Sequence, residues 1–427
     1  MKSAQGLIIG IVVVALGFLV IFSQTGIPEG AKEKAGEAAG GYGGEVISAL
    51  TPMLEFIELP AMPEEEKILK RMNLNLHLLA QPADLEKNLG DWIVIDCRPK
   101  DLYDNGHIPT AIHLGETCND FFRDDLEIKG IGLLKDLALG KVEELEMKLS
   151  NVGIRHDKTL VFYDQREIPG DAEKGKYYGI FAGYAFVPFW YMEYLGHNDV
   201  RVLDGGIGAW TAKGKPLEEK ENKLPPAQFK ANVVKNRLAT TEEVLKIAKN
   251  EIDAQLVDSR IIIEYKGESP TPPGHFLGDK IRRGGRIPNT ILNVPHFFQF
   301  DVKDKDPQVP ELRSVHQLHR LYQSLDRDKR TVLYCYIANR ISLSYFVLRL
   351  LGFKDPAIYH DSWIVWGNDE TLPVEKLMMV AEVRPVEVIP EEIKPVKEAL
   401  PAKKSVTVEE EKPSPVKKEK KGEAGGY

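Results

Sequence analysis

Short apolar runs alternate with segments of helical period through the middle of the chain. The runs TLVFYDQ (159–165) and TVLYCYI (331–337) have the length and the Val, Leu and Tyr content of buried strands. In GKVEELEMKLSNVG (140–153) and TTEEVLKIAKNE (240–251), apolar positions recur every three or four residues, as on one face of a helix. This alternation predicts an α/β fold in which parallel sheets are flanked by helices.

The alternating pattern occurs twice, in two halves that align in three places. The aligned pairs are WIVIDCRPKDLYDNGHIPTAI (92–112) with LVDSRIIIEYKGE (256–268) continuing into GGRIPNTILNVP (284–295), TLVFYDQ with TVLYCYI, and YLGHNDVRVLDGGIGAW (194–210) with LLGFKDPAIYHDSWIVW (350–366). An internal repeat of this kind predicts two homologous domains. We place them at residues 73–220 and 235–380, with a linker at 221–234.

The N-terminus has a different composition. After a short segment, 1–5, residues 6–22 (GLIIGIVVVALGFLVIF) carry no charge over 17 positions, near the lower limit for a helix that crosses a bilayer. We predict a single-pass transmembrane anchor. A cleaved signal peptide is the alternative, although no clear A-x-A cleavage site follows. The positive charge of Lys2 before the run predicts that the domains lie on the periplasmic side of the cell membrane.

Two segments of low complexity flank the repeat. Residues 23–72, a Gly/Ala-rich linker and lead-in, include GEAAGGYGGE and offer little that could be buried. Residues 381–427 alternate Pro, Lys, Glu and Val without Phe or Trp, a composition that predicts disorder. Both segments could serve as solvated spacers or could bind a partner.

Charge and cysteine content exclude several classes of protein. A net charge of −8 over 427 residues offers no broad basic surface for nucleic acid. The three cysteines include no CxxC pair and no Cys/His cluster at ligand spacing, so we expect neither a disulfide scaffold nor a metal site. A single disulfide between Cys97 and Cys118 stays open, because its formation cannot be read from the sequence.

Cys335 is the cysteine that the pattern singles out. It ends the apolar run TVLYC, and Ile341, Tyr345 and Leu348 then mark one face of a following helix. Ligands bind at the carboxyl ends of strands in open α/β sheets, where loop N–H groups and a helix N-terminus favour an anion such as a thiolate. Arg340 adds a cation that would lower the pKa of the thiol and attract an anionic substrate. The alternative is a small buried hydrophobic residue at a strand end.

Taken together, these segments resemble the tandem-domain rhodaneses, the family of thiosulfate and 3-mercaptopyruvate sulfurtransferases. The resemblance covers residues 73–378 and rests on DCRPKDLYDNGHIPTAI, VDSR, LDGGIGAW, YHDSWIVWGN and LPVE in this order. It implies two rhodanese-like domains, a catalytic cysteine in the second domain only, at Cys335, and no metal or organic cofactor. The substrate-binding residues that we predict are those of the loop and one further arginine: Tyr336, Ile337, Ala338, Asn339, Arg340 and Arg260.

Arg260 also has a structural interpretation. An Asp-x-Arg pair at a strand end, here Asp258 and Arg260 with Asp96 and Arg98 as counterparts, more often anchors a turn through an ion pair. Both roles, substrate contact and turn anchor, are consistent with the sequence.

The cysteine loop departs from that of the family, and the two domains differ there. Asp164 takes the place of the cysteine in the first domain, which should be catalytically silent because a carboxylate cannot carry sulfane sulfur and repels an anionic donor. In the second domain Ala338 replaces a common glycine, Ile337 a common lysine, and Glu264 an arginine of the mammalian-type enzymes. The pattern YCxIxxRxS with FVLRLLG and DSW is similar to the bacterial thiosulfate sulfurtransferase branch, which favours thiosulfate over mercaptopyruvate.

The predicted protein is a membrane-anchored sulfurtransferase. It would move sulfane sulfur from thiosulfate, a small anionic donor, to a thiophilic acceptor through a Cys335 persulfide. Cyanide, a thiol and a protein cysteine are all open as acceptors. A sulfur-carrier or binding module without turnover is a second hypothesis, and a cysteine-dependent phosphatase is a third. Related phosphatases have a C-x5-R loop, whereas four residues separate Cys335 from Arg340 here.

Overall fold

The computed structural model describes residues 57, 60, 62–164, 185–267, 270–271, 277–301 and 311–376. The predicted anchor at 6–22, most of the linker at 23–61 and the tail at 381–427 lie outside these residues. Within them, no helix is both long enough and apolar enough to cross a bilayer.

Helices and strands alternate in each half of the described chain. The helices are α1 (Pro63–Arg71), α2 (Pro82–Lys87), α3 (Lys100–Asp104), α4 (Cys118–Phe121), α5 (Val142–Asn151), α6 (Phe186–Tyr194), α7 (Gly206–Ala212), α8 (Thr241–Ala248), α9 (Ile262–Lys266), α10 (Val315–Tyr322), α11 (Asn339–Leu350) and α12 (Ser362–Trp366). The strands are β1 (Leu79–Ala80), β2 (Ile93–Asp96), β3 (Ile112–His113), β4 (Arg123–Ile128), β5 (Gly132–Leu139), β6 (Leu160–Tyr163), β7 (Val200–Leu203), β8 (Leu238–Ala239), β9 (Gln255–Asp258), β10 (Thr290–Asn293), β11 (Phe300–Asp301), β12 (Glu311–Leu312), β13 (Arg330–Tyr334) and β14 (Asp355–Tyr359).

Two parallel five-stranded sheets form the centres of the two domains. Their strand orders are β1-β7-β6-β2-β3 and β8-β14-β13-β9-β10, and every neighbouring pair is parallel. Each strand of the first sheet has a counterpart at the same place in the second, which confirms the α/β fold and the internal repeat. The central strands are buried almost throughout, which explains why they read as continuous apolar runs.

The two domains share one hydrophobic core, in which α6 of the first packs against α11 of the second. Nearly all of α6 is buried, as expected of a helix that is apolar on all sides. The rings of Phe189 and Phe346 meet edge to face, with centroids 4.8 Å apart. At the rim, the Glu193 carboxylate accepts hydrogen bonds from the Tyr345 hydroxyl at 2.5 Å and from Arg349 Nε at 2.9 Å. Close packing therefore fixes one domain against the other.

An antiparallel hairpin, β4 and β5, extends from the first domain to the second. Leu137 of β5 is buried in one cluster with Leu277, Tyr336 and Ile337 of the second domain. The sequence analysis did not identify this hairpin, because charged residues interrupt the apolar positions in both of its strands. The hairpin covers one side of the loop that follows β13.

A disulfide joins Cys97, directly after β2, to Cys118 at the start of α4, with the two Cα atoms 4.7 Å apart. The sequence analysis had left this pairing open. Cys335 is the remaining cysteine, and its thiol is free and buried. The disulfide attaches α4, and with it the beginning of the hairpin, to the carboxyl end of a central strand.

The lead-in at the end of residues 23–72 contains a helix, which the sequence analysis did not predict. α1 begins at Pro63, a common first residue of a helix, and has the basic residues Lys70 and Arg71 in its last turn. The Gly/Ala-rich composition of the preceding segment obscured these signals in the sequence. Glu65 is buried and binds Arg320 of α10 through contacts of 2.6 and 2.5 Å. This hydrogen bond from Arg320 lowers the pKa of Glu65. The end of the lead-in therefore docks on the second domain.

Glu65→Gln should lower the free energy of unfolding at pH 7 by about 1.5 to 3 kcal/mol, the range for hydrogen bonds to charged groups. Because the pKa of Glu65 is depressed on folding, its contribution is complete above its ordinary pKa of about 4.3 and is lost as the pH falls through the folded value. The difference between the parent and Glu65→Gln should therefore shrink at about pH 3. Denaturant unfolding at both pH values measures it.

Glu66→Gln is the matched control, because Glu66 is exposed on the same helix. It should change the free energy of unfolding by less than about 0.5 kcal/mol. Equal effects of the two substitutions would show that α1 does not dock through Glu65.

Candidate active site

Cys335 lies where the sequence places it, at the carboxyl end of β13 and before the first turn of α11. Its side chain is fully buried. Between strand and helix the chain turns through Ala338, whose φ is 62°. This left-handed conformation is unfavourable for any residue with a Cβ, which gives a physical reason for the glycine that is common at this position of the family.

Two hydrogen bonds from α12 hold the backbone of Cys335. The Cys335 N–H donates to Ser362 Oγ at 3.2 Å, and the Trp363 N–H donates to the Cys335 carbonyl at 2.9 Å. Ser362 itself has a φ of 47° and donates its hydroxyl to the Tyr359 carbonyl at 2.8 Å. Both polar backbone groups of Cys335 are thus satisfied, and its thiol is the group left for chemistry.

Asp164 occupies the equivalent position in the first domain. Its carbonyl accepts from the Ile207 N–H at 3.0 Å, the counterpart of the bond between Trp363 and Cys335. Gly206 stands where the second domain has Ser362, and a Cβ on Gly206 would lie 2.1 Å from the Asp164 carbonyl oxygen. The two domains therefore keep the same turn but differ in the nucleophile and in the hydroxyl beside it.

The loop side chains after Cys335 fill the core. Tyr336, Ile337 and Ala338 are buried, and the Tyr336 hydroxyl donates to the Pro270 carbonyl. Asn339 is half-buried at the start of α11, and within the described residues its Oδ1 has no hydrogen-bond partner. The first N–H groups of a helix have no partner inside the helix, so this loop offers a ligand backbone donors rather than side chains.

Arg340, which the sequence analysis predicts to bind an anionic substrate, is paired with Glu264 in the structure. Its Nη1 and Nη2 bind the Glu264 carboxylate at 2.8 and 3.3 Å, and Glu264 is almost completely buried. Burial lowers the pKa of Arg340, whereas the charge of Glu264 and, to a smaller extent, that of Cys335 raise it. The net result is a pKa above the ordinary value of arginine. Arg340 thus remains charged near the thiol, with its charge largely balanced by Glu264.

Arg260 lies beneath the loop in the geometry of a turn anchor. Its Nη2 binds Asp258 and the Gly285 carbonyl, each at 2.7 Å, and its guanidinium lies 4.3 Å from the Trp363 ring centroid. The first domain repeats the arrangement with Arg98, Asp96 and Gly106. Because the same pair occurs beside Asp164, it does not depend on a catalytic cysteine. This geometry favours the structural interpretation of Arg260 over a substrate contact.

Four residues near Cys335 were not identified from the sequence: Ser362, His360, Tyr191 and Arg123. Ser362 and His360 belong to the quoted motif YHDSWIVWGN, where the contrast between Ser362 and Gly206 was the available signal. The Tyr191 hydroxyl meets His360 Nε2 at 3.1 Å across the domain boundary. Burial, with a smaller contribution from the charge of Arg123, holds the pKa of His360 well below its ordinary value. Arg123, at the start of the hairpin, had no signal in the sequence.

The described part of the chain contains no group of three or more His, Cys, Asp or Glu residues arranged to hold a metal ion. The groups that the described residues place at the site are a buried thiol before a helix N-terminus and the guanidinium of Arg340, which is paired with Glu264.

Comparison with known proteins gives a consistent result. A sulfur carrier protein of Thermus thermophilus is 31% identical over 283 residues, 64% of this chain and 87% of the relative. A thiosulfate sulfurtransferase of Corynebacterium glutamicum is 30% identical over 278 residues, 64% of this chain and 81% of the relative. The crystal structure of an anaerobic ergothioneine biosynthesis enzyme from Chlorobium limicola shares the fold, with a TM-score of 0.56, 22% identity and 71% coverage of both chains.

A family model for the rhodanese-like domain matches this chain twice, at residues 81–213 and 240–369. Each match contains four of the five strands of one sheet, together with the turn that holds Asp164 or Cys335. Two copies of this domain, one of which carries Cys335 between strand and helix, place the chain in the tandem-domain rhodanese family of sulfurtransferases.

Proposed function

We propose that this protein transfers sulfane sulfur from thiosulfate to a thiophilic acceptor through a persulfide on Cys335. The observation that carries the proposal is the position of this one free thiol, buried directly after β13 and four residues before the first residue of α11. A helix N-terminus stabilises a thiolate and then a persulfide, because its free N–H groups and its dipole favour negative charge.

The proposed first step is a displacement at sulfur. The Cys335 thiolate attacks the outer sulfur of thiosulfate, a new S–S bond forms, and the S–S bond of thiosulfate breaks. The electron pair of that bond leaves with sulfite, so a thiolate and thiosulfate become a persulfide anion and sulfite. In the second step an acceptor anion, such as cyanide or a thiolate, takes the outer sulfur and restores the Cys335 thiolate.

Thiosulfate is the donor that the observations favour. A fully buried thiol restricts the reaction to small donors. The relative from Corynebacterium glutamicum is named a thiosulfate sulfurtransferase, and the pattern YCxIxxRxS with FVLRLLG and DSW is similar to the bacterial thiosulfate sulfurtransferase branch. The acceptor stays open.

A sulfur carrier without turnover is the second candidate, favoured by the name of the relative from Thermus thermophilus. A carrier would form the persulfide once and hold it, whereas an enzyme would release many equivalents of sulfite when an acceptor is supplied. The phosphatase hypothesis has less support, because the guanidinium that would bind phosphate is held by Glu264.

In this proposal the first domain carries no sulfur, since Asp164 replaces the cysteine and a carboxylate forms no persulfide. The apolar run at 6–22 would attach both domains to the cell membrane, with the domains outside the cytoplasm.

Thiosulfate should add one sulfur atom, ~32 Da, to Cys335, as the displacement mechanism requires. Mass spectrometry before and after addition of thiosulfate measures the adduct, and a sulfite assay measures turnover. Cys335→Ser should abolish both. A double variant with Cys97→Ser and Cys118→Ser is the control, because these residues form the disulfide and should affect stability more than turnover. Parental sulfite release by Cys335→Ser would refute the proposal.

The anchor has its own test. The full chain should remain in membranes washed with high salt and with carbonate, whereas a chain that lacks residues 1–22 should be released. Protease added to cells with a permeabilised outer envelope should digest the domains. Protection of the domains until the inner membrane is lysed would contradict the proposed orientation.

A further inference from the structure

Arg123 is a buried cation whose hydrogen-bonding edge is unused. It is 3% exposed, and within the described residues its Nε and Nη2 have no hydrogen-bond partner. Its Nη1 makes only a long contact, 3.5 Å, with the Asp136 carbonyl. The charges of Asp120 and Asp136 act on Arg123, but neither carboxylate is hydrogen-bonded to it. An arginine buried without a directly bound carboxylate is costly, because it gives up hydration without full compensation. Such an arrangement is expected where an anionic ligand completes the site.

The position of Arg123 connects it to Cys335 across the domain boundary. The ring of Phe122, its neighbour in the chain, stacks on Tyr191 with centroids 5.1 Å apart. The Tyr191 hydroxyl contacts His360, two residues before Ser362, whose Oγ accepts the N–H of Cys335.

The electrostatics agree with this placement. Burial lowers the pKa of Arg123, while Tyr191 and then Cys335 act in the opposite direction. Arg123 also contributes to the depressed pKa of His360, after burial. Arg123, His360 and Cys335 therefore lie within electrostatic reach of one another.

The two unused atoms have a specific geometry. Nε and Nη2 form one edge of the guanidinium, which presents two parallel N–H groups and binds two oxygens of one sulfonate or carboxylate. Thiosulfate carries such a group next to the sulfur that Cys335 would attack. Arg340 is less suited to this task, because Glu264 already binds it.

We propose that Arg123 of the first domain binds the sulfonate of the sulfur donor and orients its outer sulfur toward Cys335. This inference rests on the proposed function. It gives the domain without a cysteine a direct part in substrate binding, and it extends the site to a residue of the β4–β5 hairpin.

Arg123→Met is the central test, because methionine fills a similar volume without charge. The KM for thiosulfate should rise roughly 10- to 100-fold, the loss expected for charge-assisted hydrogen bonds, with a smaller change in kcat. The variant should be at least as stable as the parent, since it removes an unpaired buried charge. Arg155→Met, an exposed arginine of the same domain, is the control and should leave KM unchanged.

A second readout does not require sulfur transfer. Iodoacetate and iodoacetamide both alkylate a thiolate with release of iodide, but only iodoacetate is an anion. The ratio of their rates at Cys335 separates anion binding from thiol reactivity, and Arg123→Met should lower this ratio by roughly 10-fold or more. Arg123→Lys keeps the charge but not the two-atom edge, so its KM and its ratio should lie between those of the parent and Arg123→Met.

The outcomes separate this inference from the proposed function. If Arg123→Met keeps the parental KM and alkylation ratio, or loses stability alone, Arg123 has only a structural role and the inference fails. If the parent forms no persulfide while the ratio still depends on Arg123, the anion-binding role stands and thiosulfate as donor fails. Should Arg123→Met not fold, parental KM and ratio in Arg123→Lys overturn the inference.

Discussion

The packing of α6 against α11 is the contact on which the rest of the site depends. α11 begins four residues after Cys335, so any shift of this helix moves the backbone N–H groups of its first turn relative to the Cys335 thiol. α6 belongs to the first domain and carries Tyr191, which reaches His360 and supports Phe122. Because interiors packed at this density do not slide, the shared core holds residues of two domains in one fixed arrangement. If Arg123 binds the donor as proposed, the site combines residues of both domains and depends on this rigidity.

Duplication explains both the likeness and the difference of the two halves. Each domain keeps a buried Asp-x-Arg pair. Each also keeps one backbone hydrogen bond: the Ile207 N–H donates to the Asp164 carbonyl in the first domain, and the Trp363 N–H donates to the Cys335 carbonyl in the second. These contacts maintain the turn geometry and do not require a nucleophile. The two domains differ at two positions of this turn: the first has Asp164 and Gly206 where the second has Cys335 and Ser362. A turn of fixed shape can thus lose its reactivity without losing its stability.

The sequence was informative where local pattern decides the structure. Strand and helix periods, the repeat and the placement of Cys335 all follow from residues close together in the chain, and the structure agrees with them. The pairing of Arg340 with Glu264 joins residues 76 positions apart, and it depends on a loop path that periodicity does not encode. The role of Arg123 is harder to predict from the sequence, because only the tertiary packing of the hairpin brings this residue within electrostatic reach of Cys335. α1 was missed for a different reason: its helix signals lie directly after a long segment of linker composition.

The disulfide between Cys97 and Cys118 has a consequence for how sulfur leaves the protein. The chain contains three cysteines, and this bond commits two of them to each other. Cys335 therefore has no resolving thiol within its own chain that could displace the persulfide as an internal disulfide. Under the proposed mechanism the sulfur atom would depart only to a molecule that enters from outside, so the rate of discharge would depend on the acceptor as much as on the enzyme. The persulfide of this chain would then persist until such an acceptor reaches it.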